Sequence, residues 1–209
     1  ALSEGAVKCP VFQTSTFVFK TAEEGKAFFE MAHGKPGHEG EKMGLIYSRI
    51  NNPDMEILEE RLKIWDGGEA AAVFSSGMSA IATSLVSFLT PGDILLFSNP
   101  IYGGTHKFIH YMLDNWGVTA IGFTAGDSKE QIIELIEKNN AAAKLKMIYI
   151  ETPANPTNDL IDIKMCSEIA AAFSTSEKRI LLAVDNTYMG PLWQHPLKHG
   201  ADIVLYSAT

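Results

Sequence analysis

Five short apolar runs in this chain end in residues able to do chemistry. Ser75-Ser76-Gly77-Met78 follows AAAVF, and Asn99-Pro100-Ile101-Tyr102-Gly103-Gly104-Thr105 follows DILLFS. Thr152-Pro153-Ala154-Asn155-Pro156-Thr157 follows KMIYIE, Asp185-Asn186-Thr187 follows ILLAV, and Ser207-Ala208-Thr209 follows DIVLY. Each supplies a hydroxyl, an amide, a carboxylate or a glycine. Any one alone reads as a turn or a helix cap; five together are harder to dismiss. Ser76-Gly77-Met78 opens a helix, whose free N–H groups and dipole suit a phosphate. Asp185 ends a buried strand, where a carboxylate is costly unless it meets a cation or hydrogen-bond donors. A protonated pyridine nitrogen meets that need, and pyridoxal phosphate takes an acidic partner at that atom. Tyr102 offers a flat ring able to stack on such a cofactor; its spacing fits a half-buried tyrosine with a wet hydroxyl equally well. These stretches do not include the lysine that must form a Schiff base. Lys8, Lys20, Lys107 and Lys164 fall on an N-terminal arm or on helices. Neither G-x-G-x-x-G nor G-x-x-x-x-G-K-[ST] occurs, so a dinucleotide or nucleoside triphosphate lacks its main warrant.

The elements that position these residues follow from the hydrophobic pattern. NPDMEILEERLKIW predicts a helix capped by Asn52, with Pro53 at its first position and Leu58, Leu62 and Trp65 on one face. AAAVF, DILLFS, VTAIGF, LKMIYIE, ILLAVD and DIVLY predict strands. GMSAIATSLVSFL, a stretch from Gly103 to Trp116, SKEQIIELIEKN and IKMCSEIAAAF predict the intervening helices. The strands are continuous apolar runs, as expected where both sheet faces are covered. Strand–helix alternation means an α/β fold with a mostly parallel sheet and helices on both faces. Ligands of such sheets bind outside the carboxyl ends of the strands. The first fifty residues are less regular. TAEEGKAFFEMA predicts a short helix capped by Thr21, with Glu24 as capping-box partner, and His33 to Gly44 an exposed loop. An arm of this kind packs on something else, a neighbouring subunit being the expected surface.

Composition sets the outer limits. A length of 209 residues suits one large domain plus an arm, and 46% apolar residues suit a globular core. The net charge of −8 argues against a nucleic-acid partner, and no apolar run is long enough for a membrane span. The start, ALSEGAVKCP, does not read as a signal peptide. Cys9 and Cys166 make no disulfide framework; they read as buried or half-buried thiols in a cytoplasmic protein. His106 and His110 have an i, i+4 spacing that can bind zinc, but no third ligand lies near in sequence, so no metal is expected. His195 and His199 flank Pro196 and read as loop residues.

DIVLYSAT resembles the stretch before the Schiff-base lysine in the Cys/Met-metabolism pyridoxal-phosphate enzymes. That family comprises the cystathionine and methionine γ-lyases with their synthase and sulfhydrylase relatives. Asp202, Ile203, Ser207 and Thr209 match its pattern, and the sequence stops one residue before the expected lysine. PVFQTSTFVF, YSRINNP, FSSGMSAI, PIYGGT, ETPANPT and AVDNTY fall in family order. The resemblance implies an aspartate-aminotransferase-like (type I) fold. Residues 1–51 would be an arm contacting a neighbouring subunit and 52–209 the large cofactor-binding domain, with the C-terminal small domain outside this chain. It implies that Gly77 and Met78, beside Ser76, hold the cofactor phosphate with the Ser207 and Thr209 hydroxyls. Tyr47 and Arg49 would reach the phosphate site of the neighbouring subunit. Tyr102 would stack on the ring and move protons at the leaving group. Asp185 would partner the ring nitrogen, Asn155 the phenolic oxygen, and Thr187 the ring. The implied chemistry is γ-elimination on a sulfur amino acid, releasing ammonia, a 2-oxo acid and a thiol, in a tetramer of active-site-sharing dimers. Gly104 stands where typical methionine γ-lyases have Cys, so γ-replacement by a synthase or sulfhydrylase stays open. A non-catalytic ligand-binding relative is the reading from another class.

Overall fold

The computed structural model describes residues 6–209. The chain divides into two compact units. One is Ala1–Ile64 with Glu69–Val73, and the other is Trp65–Gly68 with Phe74–Thr209.

In the first unit, α1 spans Ala22–Ala32. The Thr21 side chain caps it by accepting the Glu24 N–H at 3.1 Å. Glu24 does not complete the expected capping box; its carboxylate takes the N–H of Lys20 instead, at 2.6 Å. Helix α2 spans Pro53–Asp66, its last two residues falling in the second unit. Asn52 caps it through a side-chain oxygen that accepts the Asp54 N–H at 2.9 Å. The expected stripe on α2 is not buried: Leu58 is 44% and Trp65 54% exposed. Ile46 is the one fully buried apolar side chain of this unit among the described residues. Side-chain bonds to backbone take the place of a core. Asp54 accepts the Phe12 N–H at 2.9 Å, and Asn51 accepts the Ile46 N–H at 2.9 Å. Cys9 is exposed rather than half-buried, in a stretch whose neighbours Lys8 and Pro10 are exposed as well, while Cys166 is buried.

The second unit is a five-stranded, wholly parallel sheet. Its strands are β1 (Ile94–Ser98), β2 (Thr119–Phe123), β3 (Leu145–Glu151), β4 (Leu181–Asp185) and β5 (Ile203–Leu205), in the order β2-β1-β3-β4-β5. Alternate residues serve opposite faces. Leu95, Phe97, Met147 and Tyr149 pack with Ile81 and Leu85 of α3 (Gly77–Phe88) and with Ile109 and Leu113. Leu96, Ile148, Ile150 and Leu182 pack with Ile132 and Ile136 of α5 (Lys129–Lys138) and Ile169 of α6 (Ile163–Phe173). The helix after β1 begins as α4 (Gly103–Lys107) and widens to a π-helical stretch, Phe108–Leu113, that the sequence does not announce. Ser128 and Gln131 form a complete capping box on α5. AAAVF, expected to be a strand, is not one. Three alanines offer little surface to bury, and the Val73 N–H bonds to the Glu59 carboxylate at 3.0 Å instead of to a ladder. No helix among the described residues is long and apolar enough to cross a membrane.

Candidate cofactor site at the strand ends

The strand order fixes where a ligand belongs. The chain runs from β1 outward to β2, then returns to place β3 on the other side of β1. The carboxyl ends of β1 and β3 therefore flank the switch point at which such sheets bind ligands. The two strands are laced there, the Glu151 N–H donating to Ser98 Oγ at 3.1 Å. The loop after β1 carries Tyr102 and the loop after β3 carries Asn155.

Asp185 ends β4 beside them, 5% exposed. Its Oδ1 accepts the Thr187 N–H at 3.1 Å and the Thr187 hydroxyl at 2.6 Å. Its Oδ2 accepts the Tyr149 hydroxyl at 3.3 Å. All three donors are neutral, and no Lys, Arg or His pairs with this carboxylate among the described residues. Burial pushes its pKa above the ordinary carboxylate range, and the Thr187 and Tyr149 donors hold it back only in part. Burial, reinforced by the charges of Asp185 and Glu151, drives the Tyr149 phenol far upward, so Tyr149 stays a neutral donor. Thr187 carries the arrangement on, its hydroxyl accepting the Ser207 N–H at 2.9 Å. Ser207 and Thr209 have their hydroxyls 2.8 Å apart.

Two glycines permit close approach. An ideal Cβ on Gly77 would lie 2.7 Å from Ser207 Cβ and 3.1 Å from Ser207 Cα. The start of α3 and the exit of β5 thus meet over a glycine. Ser76 caps this helix, its Oγ accepting the Ser79 N–H at 3.1 Å. A Cβ on Gly104 would lie 2.5 Å from the Tyr102 ring and 2.8 Å from Met78 Sδ. Tyr102 and Met78 therefore converge over Gly104.

Beside the site runs a partly buried polar network. Tyr206 donates to Asp66 Oδ1 at 2.6 Å and accepts from Asn186 Nδ2 at 3.2 Å. Gln194 Nε2 donates to Asn186 Oδ1 and to the Thr152 carbonyl, each at 2.8 Å. These bonds hold the exits of β3, β4 and β5 to one another.

The second unit thus brings together Ser76, Gly77, Met78, Tyr102, Asn155, Asp185, Thr187, Ser207 and Thr209 at one sheet edge. Tyr47 and Arg49 belong to the first unit, where the Arg49 guanidinium lies 5.6 Å from the centre of the Tyr47 ring. Glu151 and Tyr149, neither singled out in the sequence, are further buried groups here, beside Ser98, Thr152 and Asn186. The signal for Glu151 was an acidic residue closing an apolar strand at the site edge. The rings of His106 and His110 lie 4.3 Å apart between centres, tilted by 51° to one another. Among the described residues no group of three or more His, Cys, Asp or Glu is placed to hold a metal.

These residues fit pyridoxal phosphate. A buried carboxylate whose partners are all neutral suits a cationic ring nitrogen, and the crowded Gly77–Ser207 approach puts backbone N–H groups next to hydroxyls, as a phosphate requires. Gly77→Ala forces Ser207 to move, and its expected result is a folded protein whose affinity for pyridoxal phosphate falls by about tenfold, the scale of one lost charge-assisted bond. Titration followed by cofactor absorbance measures it; an unchanged affinity would show that the close approach does not matter.

Residues 2–209 match the model of a family described as Cys/Met metabolism PLP-dependent enzyme. The chain is 38% identical over 205 residues to the L-methionine gamma-lyase of Pseudomonas putida, covering 98% of this chain and 46% of that protein. It is 36% identical over 201 residues to the O-succinylhomoserine sulfhydrylase of Pseudomonas aeruginosa, covering 95% of this chain and 44% of that one. The chain thus spans about half the length of the curated relatives it matches. A solved Campylobacter jejuni structure, described as an O-acetylhomoserine (thiol)-lyase carrying a pyridoxyl-lysine phosphate, superposes with a TM-score of 0.82 at 30% identity. That match covers 97% of this chain and 45% of that one. With sequence, fold and the Asp185 environment in agreement, the chain belongs to the Cys/Met metabolism family of pyridoxal-phosphate-dependent enzymes.

Proposed function

We propose that this chain is the cofactor-binding half of an enzyme that performs γ-elimination on a sulfur amino acid, releasing ammonia, a 2-oxo acid and a thiol. The observation that carries the reading is the buried Asp185 carboxylate, which has no cationic partner among the described residues and stands at the switch-point edge of the sheet. Likeness to methionine gamma-lyases supports the elimination.

When bound, pyridoxal phosphate supplies an electron sink for the charge left as the substrate's α-proton departs. Asp185 holds a proton on the ring nitrogen, since its buried carboxylate gains a cation there that it lacks otherwise. Thr187 and Tyr149 orient that carboxylate by donating to opposite oxygens. The N–H groups of Gly77 and Met78 and the hydroxyls of Ser76, Ser207 and Thr209 bind the phosphate. Asn155 donates to the phenolic oxygen. The Tyr102 ring covers the cofactor's face, and its hydroxyl moves a proton at the leaving group. In the family pattern that DIVLYSAT resembles, a lysine stands next; such a lysine would anchor the cofactor and move protons at Cα and Cβ.

The first 51 residues act as an arm on a neighbouring subunit, with 52–209 as the large domain. Tyr47 and Arg49 complete the neighbour's phosphate site in a dimer, and dimers pair into a tetramer. A cytoplasmic location accompanies this reading. A second reading, γ-replacement, stays open: Gly104 stands where typical methionine γ-lyases have Cys, and the YGGT run resembles that of cystathionine γ-lyases, synthases and sulfhydrylases alike. The structural likeness to an O-acetylhomoserine (thiol)-lyase supports this second reading.

Borohydride reduction of the full-length protein with pyridoxal phosphate, followed by peptide mapping, tests the reading. The expected result is a pyridoxyl group fixed on a lysine next to Thr209. Keto-acid release from methionine or cystathionine without an added thiol separates elimination from replacement. A protein that binds no pyridoxal phosphate would overturn both.

A further inference from the structure

We infer that Glu151 is a positioning residue that sets both flanks of the cofactor ring at once, by holding the backbones of Tyr102 and Asn155 on its two carboxylate oxygens. The inference rests on the function proposed above and adds to it a residue that touches neither cofactor nor substrate.

Glu151 closes β3, the central strand of the sheet, and is 4% exposed. Its Oε2 accepts the Tyr102 N–H at 2.5 Å, and its Oε1 accepts the Asn155 N–H at 2.8 Å. Tyr102 stands 49 residues earlier in the chain, on the far side of the switch point. Asn155 stands four residues later, on the near side. One carboxylate therefore spans the crevice and is bonded to the loops on both of its walls. A charged acceptor taking one backbone N–H on each oxygen gives shorter and stronger bonds than a neutral one. No Lys, Arg or His pairs with it among the described residues, so its fixed partners are these two N–H groups. Burial pushes its carboxyl upward in pKa, and the two N–H donors pull it back.

The geometry demands a carboxylate. Glutamine offers one acceptor and an NH₂ group, which would face a second N–H donor across the crevice. One wall would then come loose. Because Gly104 leaves no space beneath the Tyr102 ring, a shift of the Tyr102 backbone reorients that ring.

The test uses the full-length protein with pyridoxal phosphate and compares Glu151→Gln with wild type. The expected variant is folded by far-ultraviolet circular dichroism. It should bind the cofactor about tenfold more weakly, the scale of one lost charge-assisted bond, and lose most of the visible circular dichroism that a chirally held cofactor shows. A merely structural glutamate would lower the melting temperature and leave that visible signal intact, which would overturn the inference. A second measurement uses wild type alone, so it stands even if the variant fails to fold. In hydrogen exchange the Tyr102 and Asn155 amides should both exchange at least about a hundredfold slower than in an open chain. Open-chain exchange at either amide would overturn the inference. Wild type that binds no cofactor at all would instead remove the proposed function, so the two failures are distinguishable.

Discussion

Asp185→Asn is expected to leave a folded protein that still binds pyridoxal phosphate but turns over about a hundredfold more slowly, a loss of about 2.7 kcal/mol that sits toward the upper end of the roughly 1.5–3 kcal/mol of a charge-assisted bond. The side chain keeps its shape and can keep its bonds to Thr187, yet the ring nitrogen loses the charge that retains its proton. Steady-state keto-acid release measures the loss, and near wild-type turnover would rule out the proposed role. The cofactor-free protein should show the opposite sign in stability. There the folded carboxyl of Asp185 titrates above its ordinary value, because burial outweighs the donors around it. Between the ordinary carboxylate pKa of about 4 and the raised folded value, the folded state binds more protons than the unfolded chain. Stability from this group therefore falls as pH rises through that window, and the deficit is complete above it. Asparagine has no such titration. Its melting temperature relative to wild type should climb from acid toward neutral pH without cofactor, and the advantage should shrink or reverse when cofactor is added.

Arg49→Ala should weaken cofactor affinity on the scale of one charge-assisted contact to phosphate, roughly 1.5–3 kcal/mol. A guanidinium grips phosphate oxygens with a planar fork that no other side chain supplies. Mixing makes the effect decisive. A dimer of one Arg49→Ala chain and one Asp185→Asn chain holds two unlike sites if arms reach across. One site pairs an intact Asp185 with the other chain's intact arm, and the second carries both defects. Under random exchange half the dimers are mixed and each has one sound site, so about a quarter of wild-type activity should return. If verified exchange restores nothing, the arm serves its own subunit, since every site would then carry one defect.

Much of the second unit is legible as pattern. β1, β3 and β4 show as short apolar runs because both of their faces are covered, while the edge strands β2 and β5 are only partly buried. Asp185, Thr187 and Ser207 were legible because a carboxylate and two hydroxyls stood directly after such runs. AAAVF misled because alanine is apolar without carrying enough surface to hold a strand in place. Leu58 and Trp65 have correct helical spacing but are exposed, since spacing reports a face and not what covers it. Glu151 was missed for a different reason. It closes an apolar run just as Asp185 does, but what it holds is a residue 49 positions away, and no local window contains that bond. The π-helical widening at Phe108–Leu113 left no mark in composition either.

The strand order has a consequence for how the molecule comes into being. β1 and β2 are neighbours in both sequence and space, but the crevice beside β1 has a single wall until β3 docks. The Thr187–Ser207 bond waits further, for β4 and then β5. Contacts of such long sequence separation form only after the loop entropy of everything between them has been overcome. A chain growing from a ribosome therefore has to bring β3, β4 and β5 together before the residues at these strand ends share one edge.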